Sequence, residues 1–133
     1  MRRGCDLLEP KDVVRRYLEL ALGADNPELL DELVQSDDLK DGVRRFRRAF
    51  PDLTIQVHRL IGEANIVAAY VTGTGTSAGP YINAAGTEYP PTGTAFEADC
   101  VAMYQVDDGR IVDFWLNWDW IEIFGATGRL TLR

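Results

Sequence analysis

Apolar positions change their period along the chain, and the change divides it. Up to about residue 50 they recur every three to four residues. Val14, Tyr17, Leu18, Ala21 and Leu22 fall on one side of a helix predicted over 10–22, with Pro10 in its first turn. Gly23 is read as a left-handed cap that ends it. Asn26-Pro27 supplies an N-cap and first-turn pair for a second helix, whose apolar stripe is Leu29, Leu30, Leu33 and Val34. Ser36-Asp37-Asp38 breaks that stripe. A third helix over 38–50 turns Leu39, Val43, Phe46 and Phe50 inward. Its Arg44-Arg45 and Arg47-Arg48 lie elsewhere on the surface, as a phosphate patch or, in the reading favoured here, as a solvated face.

After Pro51-Asp52 the period becomes two. Leu53, Ile55 and Val57 alternate with Thr54, Gln56 and His58, which puts His58 on the outer face of a strand. Gly62 to Asn65 turns the chain into a second strand over 66–76. The Gly-, Ala-, Pro- and Thr-rich stretch 77–93 is expected to be a long loop and a flap over a pocket. Strands over 95–106 and 111–118 form a hairpin around Asp107-Asp108-Gly109, and Asp119 opens a short last helix. Helices, then a four-strand antiparallel meander, then a helix: the class is α+β, with helices on one face of a curved sheet.

On the last strand Asp113, Trp115, Asn117 and Asp119 share one face, and Val112, Phe114, Leu116 and Trp118 the other. A tryptophan among an amide and two carboxylates is read as a cavity wall, since a solvent face needs no such residue. On the strand before, Glu97, Asp99, Val101, Met103 and Gln105 oppose Phe96, Ala98, Cys100, Ala102 and Tyr104.

Length and charge narrow the function. With 133 residues the chain is expected to hold one domain, 10–133, behind a loose arm, 1–9. A net charge of −7 argues against nucleic acid and anionic membranes as partners. No apolar run is long enough to span a bilayer, and no apolar block follows Arg2-Arg3 as in a signal peptide. Two cysteines, Cys5 and Cys100, fit a reduced, cytoplasmic setting. With one histidine, no C-x-x-C and no G-x-G-x-x-G after a strand, neither metal nor nucleotide nor flavin is expected.

Several short motifs then combine. Phe50-Pro51-Asp52-Leu53, Gly75-Thr76-Ser77-Ala78-Gly79, Pro90-Pro91-Thr92-Gly93, Gly109-Arg110-Ile111-Val112, Trp115 with Asp119 four residues on, and Phe124-Gly125 occur in this order. Over 12–125 the chain thereby resembles the SnoaL-like polyketide cyclase (ester cyclase) family, within the ketosteroid-isomerase-like, nuclear-transport-factor-2-like superfamily. The resemblance implies a cone-shaped fold with a deep pocket between sheet and helices. It implies a cofactor-independent enzyme of secondary metabolism that closes a ring in a polyketide-like, mostly apolar small molecule, by default through aldol chemistry. Homodimers are common for such a fold, and an open sheet face would suit one.

The resemblance places the acid/base aspartate at Asp119. Against Trp115 and Trp118 its carboxylate would be partly desolvated and its pKa raised toward neutrality. The same residue also starts a capping box with Glu122. Family spacing turns the Met103 and Gln105 side of its strand to the cavity. Gln105 is then a carbonyl donor, and Asp99 a second buried acid or a rim charge. Trp115 is a wall or a core aromatic. Asn117 donates to a substrate oxygen or satisfies backbone, and Tyr17 and Tyr70 line the pocket or fill the core. In two places the chain departs from the family. Ser77 stands where the family carries histidine, and 34–43 lacks a short strand ending in Asp-His. The 80–89 loop is also longer. These differences keep other ring closures open, namely dehydration with oxa-Michael addition or a cycloaddition, beside an isomerase, a hydrolase or a ligand-binding module.

Overall fold

The structure is a computed structural model that describes residues 9–127. The expected arm, apart from Glu9, and the end of the expected domain, 128–133, lie outside the described residues.

The first helix, α1 (Pro10–Arg16), runs on into a π-helical turn, Tyr17–Leu22. Gly23 ends it, but not as a left-handed cap. Its φ is −85°, and its N–H donates to the Leu18 carbonyl at 3.0 Å. The glycine answers crowding instead: a Cβ there would lie 2.9 Å from the Leu18 oxygen and 3.2 Å from the Ile55 nitrogen. In α2 (Pro27–Leu33) the Asn26 side chain accepts from the Leu29 N–H at 3.1 Å, as the cap pattern predicts. In α3 (Asp37–Ala49) Ser36 does the same for Leu39. Between α2 and α3, Val34 makes a single parallel bridge to Ile111.

The arginines of α3 are not one solvated face. Arg47 donates to the carbonyls of Leu53 (2.8 Å), Pro51 (2.9 Å) and Leu22 (3.4 Å), and so fastens the corner between α3 and the sheet. Arg44 pairs with Asp31 and Asp41 at the surface.

The sheet is antiparallel and follows chain order: β1 (Thr54–Glu63), β2 (Ile66–Thr76), β5 (Ala95–Asp107) and β6 (Arg110–Trp118). Asp108 and Gly109, with φ of 51° and 77°, make the tight turn between the last two. Ala95 to Val106 alternates strictly between exposed and covered positions. Phe96, Ala98, Cys100, Ala102 and Tyr104 are buried against the helices, while Glu97, Asp99, Val101 and Met103 face outward. Small residues at 98, 100 and 102 leave room for the helices. Charges at 97 and 99 stay in water.

The stretch 77–93 is more ordered than a flap. A two-residue ladder pairs β3 (Tyr81–Ile82) with β4 (Glu88–Tyr89). The Asn83 side chain accepts from the N–H groups of Ala85 and Thr87 at its tip. Tyr81 is buried, its ring 6.3 Å from that of Phe46. Ser77 is buried too, and its hydroxyl accepts from the Thr92 N–H at 3.1 Å. At Gly79 a Cβ would sit 2.0 Å from the Arg48 oxygen, so only glycine lets this loop lie on the end of α3. Thr92 in turn donates to the Ala126 carbonyl and holds the last helix, α4 (Trp120–Thr127), in place.

Candidate active site

Between the inner face of the sheet and the helices lies a cavity of about 530 Å³. Its wall is aromatic: Tyr17 from the π-helical turn, Phe46 from α3, Tyr81 from β3, Tyr104 from β5, Phe114 and Trp118 from β6, and Trp120 from α4. Alternation puts Phe114, Leu116 and Trp118 on one face of β6, and that face looks inward. Trp118 is buried, with its ring 5.6 Å from Phe46 and its edge against Gly73, where a Cβ would meet it at 3.0 Å. The charged side chains of the wall come from α3: Asp38, Asp41 and Arg45.

Two phenols are the hydroxyl groups placed on this wall from the π-turn and β5. The rings of Tyr17 and Tyr104 meet edge to face at 5.5 Å, and both residues are buried. Burial raises both pKa values well above the usual range, with the neighbouring Cys100 thiol adding to it. They are therefore neutral hydrogen-bond donors at any ordinary pH. Cys100 itself is pushed up to about 11 by burial.

The residues singled out from the sequence separate into two groups. Tyr17 lines the cavity. The expectation that Trp115, Asn117, Met103, Gln105 and Asp99 face it is corrected: these project from the opposite face. Trp115 is 49% exposed and Met103 42%. Asn117 and Asp99 are exposed, and Gln105 is half-buried, with its amide donating to Asp107 at 3.4 Å. A period of two cannot say which face is inner. The helices decide that, and they cover the face that also carries Ala98, Cys100 and Ala102. Tyr70, 43% exposed, neither lines the pocket nor fills the core. Its ring lies against that of His58, tilted by 38° with centroids 4.7 Å apart.

Asp119 is exposed just before α4, and its carboxylate accepts from the Glu122 N–H at 3.5 Å. Its backbone N–H is bound to the Asp99 carbonyl. It lies outside the cavity wall, while the next residue, Trp120, is part of it.

The outer face has chemistry of its own. The Thr72 hydroxyl donates to Asp99 at 2.7 Å, so its oxygen receives the His58 Nε2–H at 2.6 Å. Tyr70 donates to the other Asp99 oxygen at 3.5 Å. His58 stands at a bulge between Val57 and Arg59, on the outer face as expected. Among the described residues no group of three or more His, Cys, Asp or Glu side chains is placed to hold a metal.

Sequence reasoning passed over Phe46, Tyr81, Tyr104, Phe114, Trp118 and Trp120 as wall residues. The charges at Glu97 and Asp99 were the available signal, since they mark the solvent side of β5 and, through cross-strand pairing, of β6.

Comparison with known proteins agrees with this architecture. The family model of the SnoaL-like polyketide cyclases matches residues 11–126. IdmH of Streptomyces antibioticus, a proposed polyketide cyclase, is 26% identical, with 90% of this chain and 99% of that one aligned and a TM-score of 0.68. AclR of Streptomyces galilaeus, a proposed hydroxylase, is 27% identical over 75% of this chain and 60% of its own, with a TM-score of 0.59. A SnoaL-like protein of Jannaschia sp. CCS1 shares the fold at 15% identity, with a TM-score of 0.76 over 98% and 99% of the two chains. No curated protein matches significantly. Motif order, an antiparallel sheet and helices around an aromatic cavity, and the match over 11–126 place this chain in the SnoaL-like polyketide cyclase family.

Proposed function

We propose that the cavity binds a linear, polyketide-like substrate and closes a ring in it chiefly by confinement. The observation that carries this reading is the composition of the wall. A volume of about 530 Å³ takes a folded chain of small-molecule size, and its aromatic surfaces bury apolar carbon. Holding two ends of one molecule in contact converts a rare encounter into a standing geometry, a large fraction of many catalytic accelerations. In the aldol form of this closure an α-carbon gives up its proton, the new C–C bond forms, and the former carbonyl oxygen ends as a hydroxyl. Substrate and product are isomers, so no co-reactant is consumed. The neutral phenols of Tyr17 and Tyr104 donate to the oxygen on which charge develops.

A second reading keeps Asp119 as the acid/base group implied by the family. Its position next to Trp118 and Trp120 favours it, and its exposure and its bond to Glu122 favour confinement. Turnover of a panel of linear β-polyketo esters separates the two. Tyr104→Phe is expected to lower kcat on the order of a hundred-fold. Asp119→Asn keeps the cap and is expected to stay within about twofold. A hundred-fold loss in folded Asp119→Asn, with Tyr104→Phe unaffected, would replace the first reading by the second.

The outer sheet face is proposed to meet a second copy of the chain. Ile61, Ala68, Met103 and Trp115 are successive cross-strand neighbours there, flanked by Tyr70 and Val101. Such an exposed apolar row is self-complementary about a two-fold axis.

A further inference from the structure

Of the cations on α3, the helix that supplies the charged part of the cavity wall, Arg45 and the exposed Arg48 have no hydrogen-bond or ion-pair partner among the described residues, and of these two Arg45 is the one on the cavity wall. Lys40 pairs with Asp31 at 3.5 Å, Arg44 with Asp31 and Asp41, and Arg47 with three carbonyls. Arg45 is half-buried and lines the cavity, yet among the described residues no carboxylate lies within 4.0 Å of it. Its nitrogens remain within reach of water, so the guanidinium is hydrated in the cavity and free to receive a planar acceptor from a ligand.

Gly42 adds a second observation. It lies inside α3 and on the cavity wall. Glycine is the least favourable ordinary residue in a helix interior. Here neither backbone angle nor crowding requires it. A Cβ would find its nearest neighbour, Arg45 Nη2, at 3.8 Å. Side chains on a helix lean toward its N-terminus, so the Arg45 head lies over the turn that Gly42 leaves bare. The missing side chain keeps open the space beside the guanidinium.

We infer that the cavity ligand carries an anionic group, a carboxylate or enolate, which Arg45 receives beside Gly42. This rests on the reading of the cavity as the substrate site. The remaining charges of the wall orient the ligand. Asp41 is engaged by Arg44, and exposed Asp38 stands about two turns nearer the helix start, roughly 10 Å along the axis. An anion is drawn to the Arg45 end and repelled from the Asp38 end.

Two probes with one skeleton test this: 1-anilinonaphthalene-8-sulfonate, which is anionic, and N-phenyl-1-naphthylamine, which is neutral. Each is titrated into wild-type protein, Arg45→Met, Arg45→Lys, Arg45→Gln and Gly42→Leu, with circular dichroism and melting as checks of folding. Arg45→Met and Arg45→Gln are expected to weaken the sulfonate probe roughly tenfold and leave the neutral one within about twofold. Arg45→Lys is expected to lose less, and the advantage of the anion should shrink with salt. Gly42→Leu fills the notch and is expected to weaken both probes. If Gly42→Leu weakens both but no Arg45 variant distinguishes them, the anion inference is wrong and the cavity reading stands. If Gly42→Leu changes neither, the probes bind elsewhere and both readings fall.

Discussion

Trp115 and Trp118 lie on one strand and differ in every consequence of their placement. Trp118 is 7% exposed, packs on Phe46 and Gly73, and closes a cavity. Trp115 is 49% exposed and ends a row of apolar side chains that no described residue covers. The difference extends to the whole sheet. On its inner face Phe96 and Tyr104 flank the small residues Ala98, Cys100 and Ala102, and the Tyr104 phenol and Cys100 thiol are held un-ionised by burial. On its outer face apolar side chains stand beside a hydrogen-bonded row of His58, Thr72 and Asp99. The same residue types thus give core and wall on one side, and a surface on the other. What separates them is the layer of helices and not the strand pattern.

The sharpest way to break this comparison is to truncate the two tryptophans in turn. Trp118→Ala is expected to cost about 3–5 kcal/mol, through lost burial and the void left against Phe46. Trp115→Ala should cost at most about 1 kcal/mol in the monomer. Urea unfolding measures both, and equal losses would mean that the two faces are wrongly distinguished.

A second change targets association. Met103→Glu puts a charge in the centre of the outer row. It is expected to halve the mass seen by light scattering at micromolar concentration, with little change in the melting of the monomer. A wild-type protein that is already monomeric would remove the proposed two-fold contact.

The smallest effect is alkaline. The Cys100 thiol is raised from 9.0 to about 11 by burial, so the folded state keeps a proton that the unfolded chain releases. Stability from this group is complete below about pH 9 and is lost as pH rises toward 11, with a slope of at most about 1.4 kcal/mol per pH unit. Tyr17 and Tyr104 add the same sign at higher pH. Cys100→Ala should flatten the first part of this fall in denaturation measured across pH 8–11.

Much of the fold could be read from the sequence. Asn26-Pro27 is a cap pair whose geometry is local, and Asp108-Gly109 takes the positive φ values that its turn requires. Alternation in 95–106 sorts the residues into the two faces that the structure shows, but the face expected to be inner, that of Asp99, Met103 and Gln105, is the outer one. The site was less legible because its decisive facts are tertiary. Both faces of β6 carry a tryptophan, so the period of two gives no preference, and a choice of the wrong face moves every residue together. Arg45 is hidden in a run of four arginines, where sequence has no means to separate a clamp at Arg47 from a free cation at the cavity. Gly23 and Gly79 are held by close backbone approach, which no local rule reveals.

The short contact between Val34 and Ile111 has a consequence for aggregation. β1 and β6 are the sheet's two edges, and an open edge is a template on which another chain can add strands without limit. On β6 the Gln35 N–H already donates to the Ile111 oxygen at 2.8 Å, and Arg110 ties down the end of α2 and the linker after it through the Asp31 and Val34 carbonyls. On β1 the bulge at His58 interrupts the regular ladder. A fibril would need to displace a linker at one edge and straighten a kink at the other. Crowded solutions of this protein should therefore favour small closed assemblies over open-ended strand addition.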